Sequence, residues 1–272
     1  MKTVAKTLDV ARSHLHERLR RPTTARGGYA KQGDEVFLPL IRRLVDERPT
    51  YGYRRITALV NRELAAEAKP AANHKRVFRI MKRHGLLLAR YTGQRNGRLH
   101  DGKVVVMRSN LRWCSDAFEI ACWNGEVVRL VFVIDAHDRE VPAWQAVGGA
   151  GISVRDLMLE TVEKRFGAIK APHSVEWLSD NGSAYTARET LDFASALGLV
   201  PCFTPVQSPE SNGIAEAFVK TFKRDYARIK PLPDAQTVLR QLAGWFDDYN
   251  QNHPHSGLGM RSPKEFIQAH AT

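Results

Sequence analysis

Three acidic residues, far apart in the chain, could do chemistry together: Asp116, Asp180 and Glu216, with 35 residues between the last two. Carboxylates gathered at one place repel, and one stays protonated unless cations neutralise the group. Two Mg²⁺ ions held by oxygen ligands about 3.5–4 Å apart would resolve that conflict. One would activate an attacking water or 3′-hydroxyl and the other would stabilise the leaving oxygen, so no side-chain general base is needed. In a basic protein, such a constellation points to phosphodiester chemistry on nucleic acid.

Each acid taken alone has an ordinary reading. On a strand, Cys114, Asp116, Phe118 and Ile120 share one face, while Ser115, Ala117 and Glu119 share the other. A carboxylate on the apolar face is unfavourable unless it is paired or binds a metal, which singles out Asp116. Asp135 is its rival, because it ends the apolar run Leu130-Val-Phe-Val-Ile134, although it could simply open the turn Asp135-Ala-His-Asp138. Asp180 closes a short strand and begins Asp180-Asn-Gly-Ser183; strand ends in α/β folds present side chains to a crevice. Asp-Asn-Gly is also a common turn. Glu216 falls on a helix, where Asn212, Lys220 and Lys223 lie within about 40° of it and Ile214 and Phe218 face away. Alone, Glu216 and Lys220 would be a surface pair worth a few tenths of a kcal/mol.

The elements that must bring these acids together read as a mixed α/β sheet. Strands are expected over 111–122 and 126–135, with the turn Asn124-Gly125 between them, and a third strand over 141–148. Helix 153–167, strand 175–179, helix 186–197 and strand 199–203 follow, then helices near 211–230 and 234–249. Three antiparallel strands followed by alternating helix and strand give a sheet covered by helices.

The first part of the chain differs in charge. The net charge is +12, and residues 1–112 carry 26 Lys or Arg against 9 Asp or Glu, whereas residues 113–272 carry 15 against 20. Neutralised phosphates release condensed counterions, so the basic half reads as a nucleic-acid-binding module. Within it, residues 3–20 read as two short helices joined by a turn, and 21–33 as a linker. Residues 34–91 read as three helices. Val36, Leu38, Ile41 and Leu44 form the inner face of the first, and Ile56, Leu59 and Val60 that of the second. Asn73 caps the third, whose apolar stripe is Val77, Ile80 and Met81. Lys75, Arg76 and Arg79 on the third helix, with Lys82 and Arg83, suit a helix-turn-helix entering a major groove. Residues 92–109 read as the linker to a catalytic unit over 110–272.

Cys114, Cys122 and Cys202 are too few and too irregularly spaced for a disulfide framework and read as buried thiols. No run approaches the roughly 18 apolar residues of a membrane span, and the N-terminus lacks the apolar core of a secretory signal. The chain is therefore expected inside the cell, away from membranes.

Several segments resemble the catalytic subunit of a bacterial insertion-sequence transposase, in the retroviral-integrase superfamily. They are Trp113-Cys-Ser-Asp116, Ser179-Asp-Asn-Gly182, Ser208-Pro-Glu-Ser-Asn-Gly213 with Glu216-Ala-Phe-Val-Lys220-Thr-Phe-Lys223, Tyr249-Asn-Gln-Asn-His-Pro-His-Ser-Gly-Leu258 with Ser262-Pro-Lys-Glu-Phe266, and Tyr51-Gly-Tyr-Arg-Arg-Ile56 with Asn73-His-Lys-Arg-Val77. The resemblance spans nearly the whole chain. It implies an α/β ribonuclease-H-like core preceded by an all-α helix-turn-helix-like module. It also implies a triad of Asp116, Asp180 and Glu216 holding two Mg²⁺ or Mn²⁺, with cleavage at element ends and strand transfer into target DNA. The DNA-contacting cations it implies are Arg54, Arg55, Lys75, Arg76, Arg79, Lys220 and Lys223. Double-stranded DNA would be the partner, the protein a homo-oligomer on it, in the bacterial cytoplasm at the nucleoid. In the branch most resembled, translation often shifts frame to fuse an upstream helix-turn-helix and leucine zipper; this chain looks like the second frame alone, without a sustained heptad pattern. The zinc module of retroviral integrases has no counterpart, since His14, His16, His74 and His84 lack a matching Cys pair, and too few residues follow Phe266 for a further DNA-binding domain. A hydrolytic nuclease on the same core, or a truncated regulator that binds DNA without acting, are the competing functions.

Overall fold

The computed structural model describes residues 2–7, 11–13, 33–89, 106–149, 151, 153–204 and 212–270. The expected linker residues 21–32, most of the linker at 92–109, most of the second N-terminal helix and the segment Ser208-Pro-Glu-Ser211 lie outside them.

A short helix α1 (Lys2–Thr7) precedes a three-helix module: α2 (Asp34–Glu47), α3 (Tyr53–Ala66) and α4 (His74–Arg83). Ile41, Leu44, Ile56, Val60, Val77, Ile80 and Met81 are buried together, and Leu59 packs against them. Val36, expected inside, is instead 76% exposed. It sits two residues from Asp34 and so points off the inner face, and the buried position at that end belongs to Asp34, which accepts from Arg76 Nε at 2.7 Å and Arg79 at 3.0 Å. The Asn73 side chain accepts from the Lys75 backbone N–H at 2.8 Å, starting α4 as the sequence implied.

The second part is a five-stranded sheet of order β3-β2-β1-β4-β5. β1 (Arg112–Ala121) pairs antiparallel with β2 (Val127–Asp135), and β2 with β3 (Trp144–Val147). β4 (Val175–Ser179) and β5 (Leu199–Phe203) run parallel to β1. β3 is shorter than the expected 141–148, because Pro142 has no N–H to give a ladder. One face is covered by α5 (Val154–Phe166), with the short helix α6 (Ser183–Thr186) and α7 (Arg188–Ala196) beside it. The expected helix over 186–197 is α7, which starts at Arg188 because Ala187 (φ −59°, ψ 134°) is not helical, and the short α6 precedes it. The other face carries α8 (Gly213–Asp225) and α9 (Ala235–Asn252), whose Phe218, Phe222, Leu242 and Phe246 pack on Phe118, Leu130 and Phe132. α8 stops at Asp225 rather than near 230, and a 3₁₀ turn at Ala227–Ile229 follows.

A last helix, α10 (Pro263–His270), has no counterpart in the sequence reading. Its start is a reciprocal cap: the Glu265 carboxylate accepts from the Ser262 N–H at 2.7 Å, and Ser262 Oγ accepts from the Glu265 N–H at 3.2 Å. Ser262-Pro-Lys-Glu265 is the capping-box pattern with proline at the first helical position. Cys114 and Cys122 are buried, Cys202 is half-buried, and all three are free thiols.

The two parts touch through polar side chains. Arg48 donates to Asp248 at 2.6 Å, which also accepts from the Tyr226 hydroxyl at 2.8 Å. Arg55 donates to Asp225 at 3.1 Å, the Tyr51 hydroxyl meets His253 Nδ1 at 2.8 Å, and Arg62 donates to Glu265 at 2.6 Å.

Candidate active site

The sheet carries one of the acids and leads into a second. The parallel ladder ends with Cys114 opposite Leu178; two residues further, Asp116 is still on β1 and Asp180 lies just past the end of β4. Cys114 and Leu178 both enter the core under α8, and with a period of two Asp116 lies on the same face of β1 as Cys114. α8 lies across that face, with Ala215 and Phe218 buried beneath it and Glu216 half-exposed. Asp116, Asp180 and Glu216 are near enough for the charges of the latter two to act on the first.

Electrostatics report the same proximity. Burial pushes the Asp116 carboxyl up, and the charges of Asp180 and Glu216 push it further, while its neighbour's backbone N–H and Lys223 pull it down. Among the described residues Asp116 accepts from the Ala117 N–H at 2.8 Å alone, and Asp180 from the Gly182 N–H at 3.1 Å alone. Among the described residues neither aspartate has an ion-pair partner. Glu216 leans instead on Lys220, 3.5 Å away, with both side chains well exposed. In this arrangement no three acidic, histidine or cysteine groups among the described residues are placed to share one ion. The chemistry of the donors nevertheless fits a hard divalent cation: they are oxygen-only groups, and the repulsion of Asp180 and Glu216 still raises the Asp116 carboxyl with Lys223 nearby.

Beneath the acids runs a buried hydrogen-bonded chain that sequence reasoning missed. Asn212 Nδ2 donates to the Ser115 carbonyl at 3.1 Å, and Ser115 Oγ sits 2.8 Å from the Tyr185 hydroxyl and 3.0 Å from the Phe132 carbonyl. Only Asn212 had a visible signal, its place one turn before Glu216 on the same helical stripe.

Asp135 has a different setting. It is fully buried and accepts from the backbone N–H groups of Asn110 at 2.7 Å and His137 at 2.7 Å, and from the Trp113 indole at 3.2 Å. Arg165 lies 3.2 Å from it, 3.0 Å from Asp138 and 2.8 Å from Glu140.

The cations expected at DNA also divide. Arg54 and Lys75 are exposed. Lys220 is exposed beside Glu216, and Lys223 stands 5.5 Å over the Phe118 ring, near Asp116. Arg55, Arg76 and Arg79 point inward, the first to Asp225 and the other two to Asp34.

Comparison with known proteins places the chain. Two family models described as an integrase core domain match residues 107–209 and 197–263, and one described as an HTH-like domain matches 31–95. An insertion element IS136 uncharacterized protein of Agrobacterium fabrum is 68% identical over 192 residues, covering 70% of this chain and 98% of its own. Transposase InsD for insertion element IS2 of Escherichia coli is 48% identical over 273 residues, covering 98% of this chain and 91% of its own. The catalytic core domain of BIV integrase aligns at 18% identity with a TM-score of 0.41, over 60% of this chain and 97% of its own.

Proposed function

The chain belongs to the bacterial insertion-sequence transposases with an integrase core domain, and from that premise we propose that Asp116, Asp180 and Glu216 are its catalytic acids. The protein is a DNA transposase, a polynucleotidyl transferase acting in DNA integration and recombination. The observation that supports the residue assignment is the half-buried Asp116 on β1, whose carboxyl is pushed up by burial and by the nearby charges of Asp180, just past β4, and Glu216 on α8. The burial of Asp135 among four donors and Arg165 favours Asp116 as the first acid.

Two divalent ions, Mg²⁺ or Mn²⁺, would supply the positive charge that polarises the attacking oxygen and offsets charge on the leaving one. Asp116 and Asp180 would hold them from the sheet, and Glu216 would turn from Lys220 to complete the set. Freed by that turn, Lys220 would meet the DNA backbone together with Lys223. Arg54 and Lys75 would hold phosphates on the basic module, for which we propose residues 34–91, with the catalytic unit at 110–272. Arg55, Arg76 and Arg79, expected at the DNA, are assigned to holding the module together and to the core. Several copies would assemble on double-stranded DNA, with an upstream-frame partner, or a fused frameshift product, recognising the element ends.

The test is a nicking and joining assay on oligonucleotides with wild type beside Glu216→Gln. Metal-dependent joining by the wild type alone supports the assignment, and equal joining by both removes it.

A further inference from the structure

Three elements carry the acids, and one hydrogen-bonded chain joins all three. Ser115 precedes Asp116 on β1 and is fully buried. Its Oγ lies 3.0 Å from the Phe132 carbonyl, which can only accept, so the single serine proton goes there. The Tyr185 hydroxyl, 2.8 Å away, must then donate to Ser115 Oγ. Tyr185 is 6% exposed and sits on α6, which the Asp180 turn feeds directly: Gly182 N–H donates to Asp180, and Tyr185 N–H donates to the Gly182 carbonyl. On the other side, Asn212 stands at the N-cap position of α8, one turn before Glu216, is 6% exposed, and its side chain donates to the Ser115 carbonyl rather than capping the helix. Each link is buried, so breaking one leaves an unsatisfied polar group and lets its element shift.

We propose that Tyr185, Ser115 and Asn212 are positioning residues that set the spacing of Asp116, Asp180 and Glu216 for cation binding. The proposal rests on the assignment of those three acids as the metal ligands. Tyr185 holds the Asp180 turn against β1, and Asn212 holds the foot of α8 against the same strand. Neither touches the reacting atoms. The chain ties the elements that carry the acids together against the repulsion of their charges, since Ser115 is a common anchor for both sides.

The experiment is Mn²⁺ binding to the full chain, read by the loss of free Mn²⁺ signal in electron paramagnetic resonance, with thermal melting measured alongside. Tyr185→Phe keeps the ring and removes only the donated proton; Asn212→Ala breaks the chain from the opposite side. Each is expected to weaken Mn²⁺ binding about fivefold, the worth of one buried hydrogen bond. Tyr185→Phe combined with Ser115→Ala should lose little more than Ser115→Ala alone, because Ser115→Ala already cuts the link to Tyr185. Unchanged Mn²⁺ affinity in Tyr185→Phe and Asn212→Ala, with Asp180→Asn abolishing binding, overturns the positioning role and leaves the acids' assignment standing. Unchanged binding in Asp180→Asn overturns that assignment, and the positioning role with it.

Discussion

Two clusters of acids lie in the same unit, and they are built in opposite ways. Asp135, Asp138 and Glu140 are buried around Arg165, which is 9% exposed and reaches all three, with Lys264 on Glu140 from α10. Backbone N–H groups take up the remaining lone pairs of Asp135. Asp116, Asp180 and Glu216 have one backbone donor each for the aspartates, one loose lysine for the glutamate, and no arginine among the described residues. The closed cluster has its counter-charge inside the protein. The open one leaves its charge for something that arrives. A carboxylate's role is thus legible in what already satisfies it, more than in its place along the chain.

The contrast breaks most sharply by removing acids from the open cluster. Asp180→Asn and Glu216→Gln are each expected to cut strand joining about a thousandfold or more, on the scale of losing transition-state charge stabilisation, with no loss in melting temperature. A joining assay and a melt on the same samples check both halves. The mirror image is Arg165→Met. It removes the shared cation from three buried carboxylates, of which Glu140 alone keeps a lysine, and is expected to cost about 3–5 kcal/mol of stability, seen in urea unfolding, while the molecules that remain folded still join DNA.

The same division between satisfied and open groups holds for the cations. Arg54→Ala or Lys75→Ala should each lower the salt slope of DNA binding by about 0.9 and leave stability unchanged. Arg55→Ala should instead destabilise the contact between module and core, since it removes the module's arginine from the buried Asp225 and leaves Arg224 as its remaining arginine. Equilibrium binding over a range of salt, with melts, separates the two.

Acid should act on the closed side. Burial pushes the His253 imidazole well below its ordinary value, and burial with Arg55 and Arg139 lowers His255 to about 3. The unfolded chain therefore binds protons that the fold refuses. Their stability contribution is complete above about pH 6.5 and is lost as pH falls toward 3, at up to ~1.4 kcal/mol per pH unit for each ring. Unfolding by urea at pH 7 and pH 5 measures the slope, which His255→Gln should reduce. The smallest effect is a gain. The folded-state pKa of Asp116 is raised, so its ionised form costs stability at pH 7. Asp116→Asn should melt slightly higher there and converge with the wild type in acid, where both side chains are neutral.

Much of this was legible before any coordinates. Alternation along Cys114–Ile120 put Asp116 on the apolar side, and the 3.6 period put Lys220 and Lys223 beside Glu216. Asn73 announced α4. What escaped was of two kinds. α10 carried a readable cap, Ser262-Pro-Lys-Glu265, in a stretch too short to show helical periodicity. The roles of Arg55, Arg76 and Arg79 were hidden because a charge count sees cations and not their partners. Arg55 meets Asp225 across 170 residues, and no local pattern predicts that meeting. Tyr185 was equally silent, being a single aromatic whose hydroxyl matters only against Ser115.

The central claim is that the open acids receive divalent cations and the closed ones do not. Anomalous scattering from crystals of the protein grown with Mn²⁺ tests it directly. The expected signal lies between Asp116 and Asp180, with Glu216 turned toward it and away from Lys220. Signal at Asp135, Asp138 and Glu140, or none at Asp116 and Asp180 under saturating Mn²⁺ with DNA ends bound, would contradict it.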